Sequence, residues 1–372
     1  MKQIRSDSTL IHVGTREESS YDVLVKQGAL SSLPSLLGEY TTSHRYAIIS
    51  DRNVASLYGH SLRDNLRKEG LDVELFVFDQ GEANKTRSTW CDLTDKMLAK
   101  SFGRDSCILA LGGGVVGDVA GFVAATYMRG VPVVQIPTSL LAMIDASVGG
   151  KTGVDVSVGK NLVGAFHPPR LVIVDPTVVN TLSVDECKQG LVEAVKHGLI
   201  MDPQYFAQLS ELMPELLNYD LDKIEEIVSR SIELKASVVT EDEHEHGKRE
   251  ILNFGHTFGH AMEVAQHYTM SHGTAVGRGM LLEIRLGIEL GLTDPSTFEA
   301  TVSCLAKLGI SNHSSQDLNS EEIMDHLRLD KKSKLGGRRF VLISRIGSVL
   351  RNGEDWSHTI EEGILMEFLG SL

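Results

Sequence analysis

The sequence predicts a two-part α/β protein: a Rossmann-like N-terminal domain over residues 1–180, then a mostly α-helical domain over residues 181–372. Three observations carry this expectation. Short, continuously apolar runs alternate with helix-length segments through the first half, as in a parallel sheet covered on both faces. One run ends directly in Gly112-Gly113-Gly114. Beyond Asp175-Pro176 the apolar spacing becomes helical and strand-like runs almost vanish.

In chain order, Thr9–Val13 and Tyr21–Val25 read as two short strands around a polar turn. Tyr46–Asp51, Leu75–Phe78, Ser106–Leu111, Val131–Thr138 and Leu171–Asp175 follow as buried strands. A helix-compatible run starts near Val119. Helical periodicity covers Ser183 to Asn218 and Leu221 to Val239, and Arg339–Ile343 is expected as a small late strand.

A chain of 372 residues is long enough for two domains and a sizeable core. The net charge of -14 argues against nucleic acid as a partner, because a phosphate-backbone footprint needs a basic field. It still allows a local cationic pocket for a small anion. Cys91, Cys107, Cys187 and Cys304 are scattered, so reduced thiols are expected. The N-terminus turns polar at once and no apolar run has the length of a membrane span. A cytoplasmic protein without a membrane partner is expected.

Glycines let a backbone approach a ligand closely, and a following helix N-terminus offers N–H groups to an anion. Gly112-Gly113-Gly114-Val115-Val116-Gly117-Asp118 suits the pyrophosphate of a dinucleotide, although a tight structural turn explains the same letters. Asp51 ends its strand, where it could accept from ribose hydroxyls or simply cap a helix. Thr138-Ser139 adds hydroxyls at the same kind of sheet edge.

The segment Leu252–Glu263 places His256 and His260 four residues apart on one helical face, with Glu263 one step further. His272 lies sixteen residues after His256, and Glu193 lies upstream. Three such side chains can bind a divalent metal and leave a position open for substrate; the plain alternative is a polar helix face. Lys196 follows Glu193 by three residues, on the same face. Lys151 sits in a glycine turn that lacks P-loop spacing, Lys160-Asn161 in a second glycine-flanked loop, and Arg129-Gly130 before a strand. With Lys235, Arg249, Asn253 and Lys331-Lys332, this set suits a small, doubly anionic substrate.

The runs GGGVVGDVAGFVAATYMRG, IPTSLLAMIDASVGGKTGVD, GKNLVGAFHPP, GLVEAVKHGLI and LNFGHTFGHAMEVA resemble the 3-dehydroquinate synthase family, from about Tyr21 through Ile346. The resemblance implies the dehydroquinate synthase-like fold, a homodimer, NAD, and one divalent metal, Zn2+ or Co2+. The implied substrate is a phosphorylated sugar acid, 3-deoxy-D-arabino-heptulosonate 7-phosphate, converted to 3-dehydroquinate and phosphate. The implied route is transient oxidation at C5, phosphate elimination, re-reduction and aldol ring closure. The metal would polarise the C5 hydroxyl.

By the same resemblance, Glu193, His256 and His272 would ligate the metal. Asp51, Glu82, Lys85, Gly114, Val115, Val116, Gly117, Asp118, Thr138, Ser139, Lys151, Lys160 and Thr181 would surround NAD. Asp145, Lys151, Asn161, Lys196, Lys235, Arg249, Asn253, His260 and Lys331 or Lys332 would surround the substrate. Arg129 would cross the dimer to the partner's substrate phosphate. Ser139 stands where the family often has a second threonine, and the hydroxyl is kept. Three rivals remain: a sister sugar phosphate cyclase making a cyclitol or amino analogue, a polyol dehydrogenase that releases NADH, and a binding protein without activity.

Overall fold

The computed structural model describes residues 9–13, 20–157, 159–266, 269–311, 320–331 and 338–372. The chain forms two compact units. The first comprises Met1–Glu186 with Leu221–Thr240, and the second Cys187–Asp220 with Glu241–Leu372. The units are thus interleaved in sequence, where the composition suggested one cut at 180/181. Periodicity identifies 221–239 as helical but says nothing about which core its apolar face joins.

The first unit is built on a seven-stranded sheet. Its strands are β1 (Thr9–Val13), β2 (Tyr21–Val25), β3 (Arg45–Asp51), β4 (Asp72–Phe78), β5 (Ser106–Gly112), β6 (Val133–Pro137) and β9 (Leu171–Val174), in the order β1-β2-β9-β6-β5-β3-β4. The first pair is antiparallel and the other pairings are parallel. Side chains alternate across a strand, so β3 feeds two cores. Ala47 and Ile49 pack with Leu93, Met97 and Val123 on one face. Tyr46 and Ile48 pack with Leu33, Leu37 and Leu66 on the other. Coverage on both faces explains why β5 is buried along its whole length and reads as an unbroken apolar run.

Two segments expected as glycine loops are strands. β7 (Lys151–Val156) and β8 (Gly159–Phe166) form an antiparallel hairpin, with Gly153 opposite Gly164. Glycine lowers strand propensity, which hid them. Here it is required by contact: a Cβ on Gly164 would lie 2.1 Å from the Thr152 carbonyl oxygen. The glycine-loop helix begins at Gly114 and ends at Thr126, earlier than the apolar run near Val119 suggested.

The second unit contains helices Val184–Met201, Pro203–Leu217, His256–Ala265, His272–Glu289, Pro295–Ala306, Ser320–Lys331 and Glu362–Gly370. Asp202 caps the second of these by accepting from the N–H groups of Gln204 and Tyr205, both at 3.0 Å, with Pro203 at the first helical position. Phe258 lies 4.9 Å from Phe340 and 5.9 Å from Phe368 between ring centroids, tying the His256–Ala265 helix to a core with Met262 and Leu286. The expected late strand is split: Arg339–Phe340 pairs with His358–Thr359, and Ile343–Arg345 with Ser348–Val349. Two different partners break the run between them. Among the described residues, no helix is long and apolar enough to cross a membrane.

Candidate active site

In the first unit, three adjacent parallel strands bring ligand-type residues to one edge of the sheet. Asp51 ends β3, Gly112 ends β5 and Thr138 follows β6. The registers Ile49–Ala110 and Gly112–Pro137 set these ends side by side. From β3 the chain runs outward to β4, then returns to β5 on the other side of β3. Such a switch point, at strand C-termini, is where open α/β sheets bind ligands. No side chain caps the N-terminus of the Gly114–Thr126 helix, so the N–H groups of its first turn (Gly114, Val115, Val116) suit an anion such as pyrophosphate. Ser139 Oγ adjoins this loop, 3.4 Å from where a Cβ on Gly113 would sit. Asp51 Oδ1 accepts the Val54 N–H at 2.9 Å, so the helix-capping reading of this residue is realised in the structure.

Behind the glycine loop lies a charged network. Lys85, 4% exposed, reaches Asp118 Oδ2 and Asn161 Oδ1, each at 2.5 Å. Burial alone would lower the Lys85 pKa, but Asp118 and Glu82 outweigh it and the net shift is upward. Asn161 has φ 56°, an uncommon left-handed conformation, and its N–H donates to Asp155 Oδ1 at 2.8 Å. Lys160 Nζ lies 3.7 Å from Glu82 Oε1. The family resemblance divides these residues between cofactor and substrate; the structure gathers Glu82, Lys85, Asp118, Lys160 and Asn161 into one cluster. Elsewhere in the unit, Lys235 Nζ donates to Asp145 Oδ1 at 2.7 Å and to its carbonyl at 2.5 Å. Lys151 is exposed at the start of β7, and Thr181 Oγ1 lies 2.8 Å from the Tyr58 hydroxyl. Met128, Arg129 and Gly130 take φ values of 52°, 71° and 111°, presenting an exposed Arg129 on a left-handed turn.

In the second unit, Glu193 is fully buried midway along Val184–Met201, and His256 and His272 are each the first residue of their helices. Glu193 Oε1 lies 3.7 Å from His256 Nε2 and 3.6 Å from His272 Nε2. Those separations exceed a hydrogen bond. Donors about 2.1 Å from one tetrahedral ion lie roughly 3.4 Å apart, so the set fits a divalent metal. One donor atom from each residue falls within 4.8 Å of the others. His256 Nδ1 faces the Phe254 carbonyl at 3.1 Å, which turns Nε2 toward Glu193.

Electrostatics agree with that geometry. Burial, then the Lys196 charge, pushes His256 down to about 3, leaving the neutral imidazole a metal requires. Burial opposes ionisation of Glu193, but Lys196, His272 and His256 hold its carboxyl well below the usual range. Lys196 Nζ sits 2.5 Å from Glu193 Oε2. Burial would also lower His272, yet Glu193 and Glu263 outweigh it and lift the ring to about 10.

Glu263 Oε1 is 3.5 Å from His272 Nδ1, and His260, Glu263 and His272 form a second donor cluster. The sequence marks Glu263 only as sharing a face with the histidines; its three-residue step from His260 was the available signal. The exposed His260 ring lies 5.3 Å from His256 and 6.3 Å from His272, by centroids. Arg249, 2% exposed, donates to the Glu243 carbonyl at 2.5 Å, and Asn253 Nδ2 donates to Glu245 Oε1 at 2.9 Å. Lys331 ends its helix without a described side chain, and Lys332 lies outside the described residues.

The sequence matches the family profile 3-dehydroquinate synthase N-terminal over residues 75–189 and 3-dehydroquinate synthase C-terminal over residues 190–333. It is 41% identical to a 3-dehydroquinate synthase of Thermoanaerobacter pseudethanolicus, across 89% of this chain and 93% of the relative. It is 40% identical to one from Pelotomaculum thermopropionicum, across 97% and 95%. Among solved structures, 2-deoxy-scyllo-inosose synthase with carbaglucose-6-phosphate, NAD+ and Co2+ matches with a TM-score of 0.88 at 27% identity, across 97% of this chain and 99% of that one. ValA, a 2-epi-5-epi-valiolone synthase from Streptomyces hygroscopicus with NAD+ and Zn2+, matches at 0.85 and 29%, across 96% and 98%. Both halves of the sequence, and structural matches over 96–97% of the chain, thus agree with the resemblance read from the motifs, and the chain belongs to the 3-dehydroquinate synthase family.

Proposed function

We propose that the protein converts 3-deoxy-D-arabino-heptulosonate 7-phosphate into 3-dehydroquinate and phosphate, as a carbon–oxygen lyase. The observation that carries this reading is the Glu193, His256 and His272 donor set, beside Lys196, in a chain with about 40% identity to relatives of that name. The three donors would hold Zn2+ or Co2+. The uncapped helix at Gly114–Asp118, with Thr138 and Ser139, would hold NAD, and Asp51, Glu82, Lys85, Lys151, Lys160 and Thr181 would complete its surroundings.

When bound, NAD supplies reversible hydride acceptance and the metal supplies Lewis acidity. The chain's own residues bind and orient. Lys196 Nζ lies beside the metal carboxylate, suiting it to an anionic oxygen of the substrate. Arg249, Asn253 and Lys235, with Lys331 or Lys332, would recognise carboxylate, hydroxyls and phosphate; Asp145 and Asn161 would orient hydroxyls. The solvent-exposed His260 is suited to moving a proton at the rim of the donor set. The reaction is redox-neutral, so NADH should not accumulate.

The assay is phosphate release from the heptulosonate 7-phosphate with metal and catalytic NAD. Release without NADH build-up, abolished in His256→Ala, is expected. Release only from another sugar phosphate would move the chain to a sister cyclase, and NADH accumulation on a polyol would sink the cyclase reading.

We also propose a homodimer in which Arg129 reaches the partner's substrate phosphate. Leu162 and Phe166, 62% and 42% exposed on β8 of the same unit, offer apolar surface for self-association. Sedimentation should give a dimer for the native chain and a monomer for Leu162→Glu; a native monomer would rule the dimer out.

A further inference from the structure

Two of the three donors in the second unit stand at unprotected helix starts. A helix leaves its first N–H groups without intrahelical partners, and a local Ser, Thr, Asp or Asn side chain normally satisfies one of them. Neither helix has such a cap: Gly255 precedes His256 and carries no side chain, and Ser271 precedes His272 but its side chain makes no capping bond. The missing acceptors come from the other ligand-bearing helices. Glu283, on the helix that starts at His272, accepts the Gly255 N–H at 2.8 Å, and its carboxyl also faces the N–H groups of Thr257 and Phe258. Gln189, one turn before Glu193 on Val184–Met201, accepts the Gly273 N–H through Oε1 at 2.6 Å.

Backbone contact supports the first of these ties. Gly255 has φ 80°, and a Cβ on Gly279 would lie 1.9 Å from the Gly255 carbonyl oxygen. The two helices therefore meet backbone to backbone, one turn from Glu283. A fully buried carboxyl is costly without partners, and burial pushes Glu283 well above the usual range despite its three N–H neighbours. Its Oε1 has no hydrogen-bond partner among the described residues, as suits a neutral acid that accepts through Oε2 alone.

We propose that Glu283 and Gln189 are positioning residues of the metal centre, each capping one ligand-bearing helix from another and so fixing the spacing of the donors. Glu283 holds the start of the His256 helix to the His272 helix, and Gln189 holds the start of the His272 helix to the Glu193 helix. The third side of the triangle is the donor contact between Glu193 and His256. The proposal rests on the metal-centre reading above.

The test reads Co2+ affinity by chelator competition and the Co2+ ligand-field spectrum of the full chain, alongside melting of the metal-free protein. Glu283→Asp retracts the acceptor by roughly 1.5 Å, and Gln189→Ala removes it. Each should weaken Co2+ binding about 10–100-fold, as loss of an outer-shell partner does, and alter the spectrum. Glu283→Gln keeps a carbonyl acceptor in place of a neutral acid and should stay within about threefold of the native chain. Leu209→Ala, a core cavity in the same unit, should lower the melting temperature and leave Co2+ affinity unchanged. Native affinity in both Glu283→Asp and Gln189→Ala would overturn the proposal, as would an equal loss in Leu209→Ala. A native chain with no Co2+ spectrum sensitive to His256→Ala would overturn the metal reading itself.

Discussion

The two units treat charge in opposite ways. In the first, the candidate site groups already satisfy one another: Lys85 with Asp118 and Asn161, Lys235 with Asp145, Lys160 near Glu82. In the second, Glu193 pairs with Lys196 through Oε2, yet its Oε1 faces His256 and His272 at 3.7 and 3.6 Å, too far for hydrogen bonds and well spaced for an ion. A ligand in the first unit must offer better partners than those present or use the backbone, which explains an uncapped helix start beside the glycines. A ligand in the second must bring positive charge.

The sharpest way to break that contrast is Glu193→Gln. Removing the buried charge should cut Zn2+ or Co2+ affinity by more than the roughly 10–100-fold lost with an outer-shell partner, measured by chelator competition. Unchanged affinity would mean that the three donors do not act as a set.

A smaller effect is expected from Lys85→Met. Breaking a fully buried pair costs about 3–5 kcal/mol. Asp118 keeps 20% side-chain exposure, so about 2 kcal/mol is expected here after solvent screening. Urea unfolding should also show Lys85→Met and Asp118→Leu to be non-additive when combined. Additive losses would show that the two side chains do not depend on each other.

The smallest effect concerns His167, whose Nε2 lies 2.9 Å from the Val131 carbonyl, much as His256 Nδ1 meets that of Phe254. Burial lowers the His167 pKa, with the Val131 carbonyl opposing. A depressed folded pKa gives stability that is present above the unfolded value of about 6.5 and is lost as pH falls through the folded value. Between pH 7.5 and 5 the native chain should lose on the order of 1 kcal/mol or less more than His167→Gln. Parallel pH profiles would remove His167 as a structural counterpart to the metal-type histidines.

The candidate donor set was legible because its letters are specific: His256 in a histidine-rich helical segment, His272 sixteen residues later, and Glu193 upstream. The sheet was legible because both its faces are buried, which writes strands as unbroken apolar runs. The hairpin of β7 and β8 was not, since Gly153 and Gly164 serve close backbone approach and resemble turn residues in the sequence. Gln189 and Glu283 carried no local signal at all. A cap normally lies within a few residues of the N–H it satisfies, whereas these act across 84 and 28 positions.

The interleaved division of the chain bears on its synthesis. The sheet is complete once β9 ends at Val174, but Lys235, the ion partner of Asp145, sits on a helix whose first residue is Leu221. At ~5–20 residues per second, the ribosome adds the stretch from Val174 to Lys235 in roughly 3–12 s. For that interval the nascent sheet is without its last helix, and a stalled chain ending near residue 180 would leave the surface that awaits it uncovered.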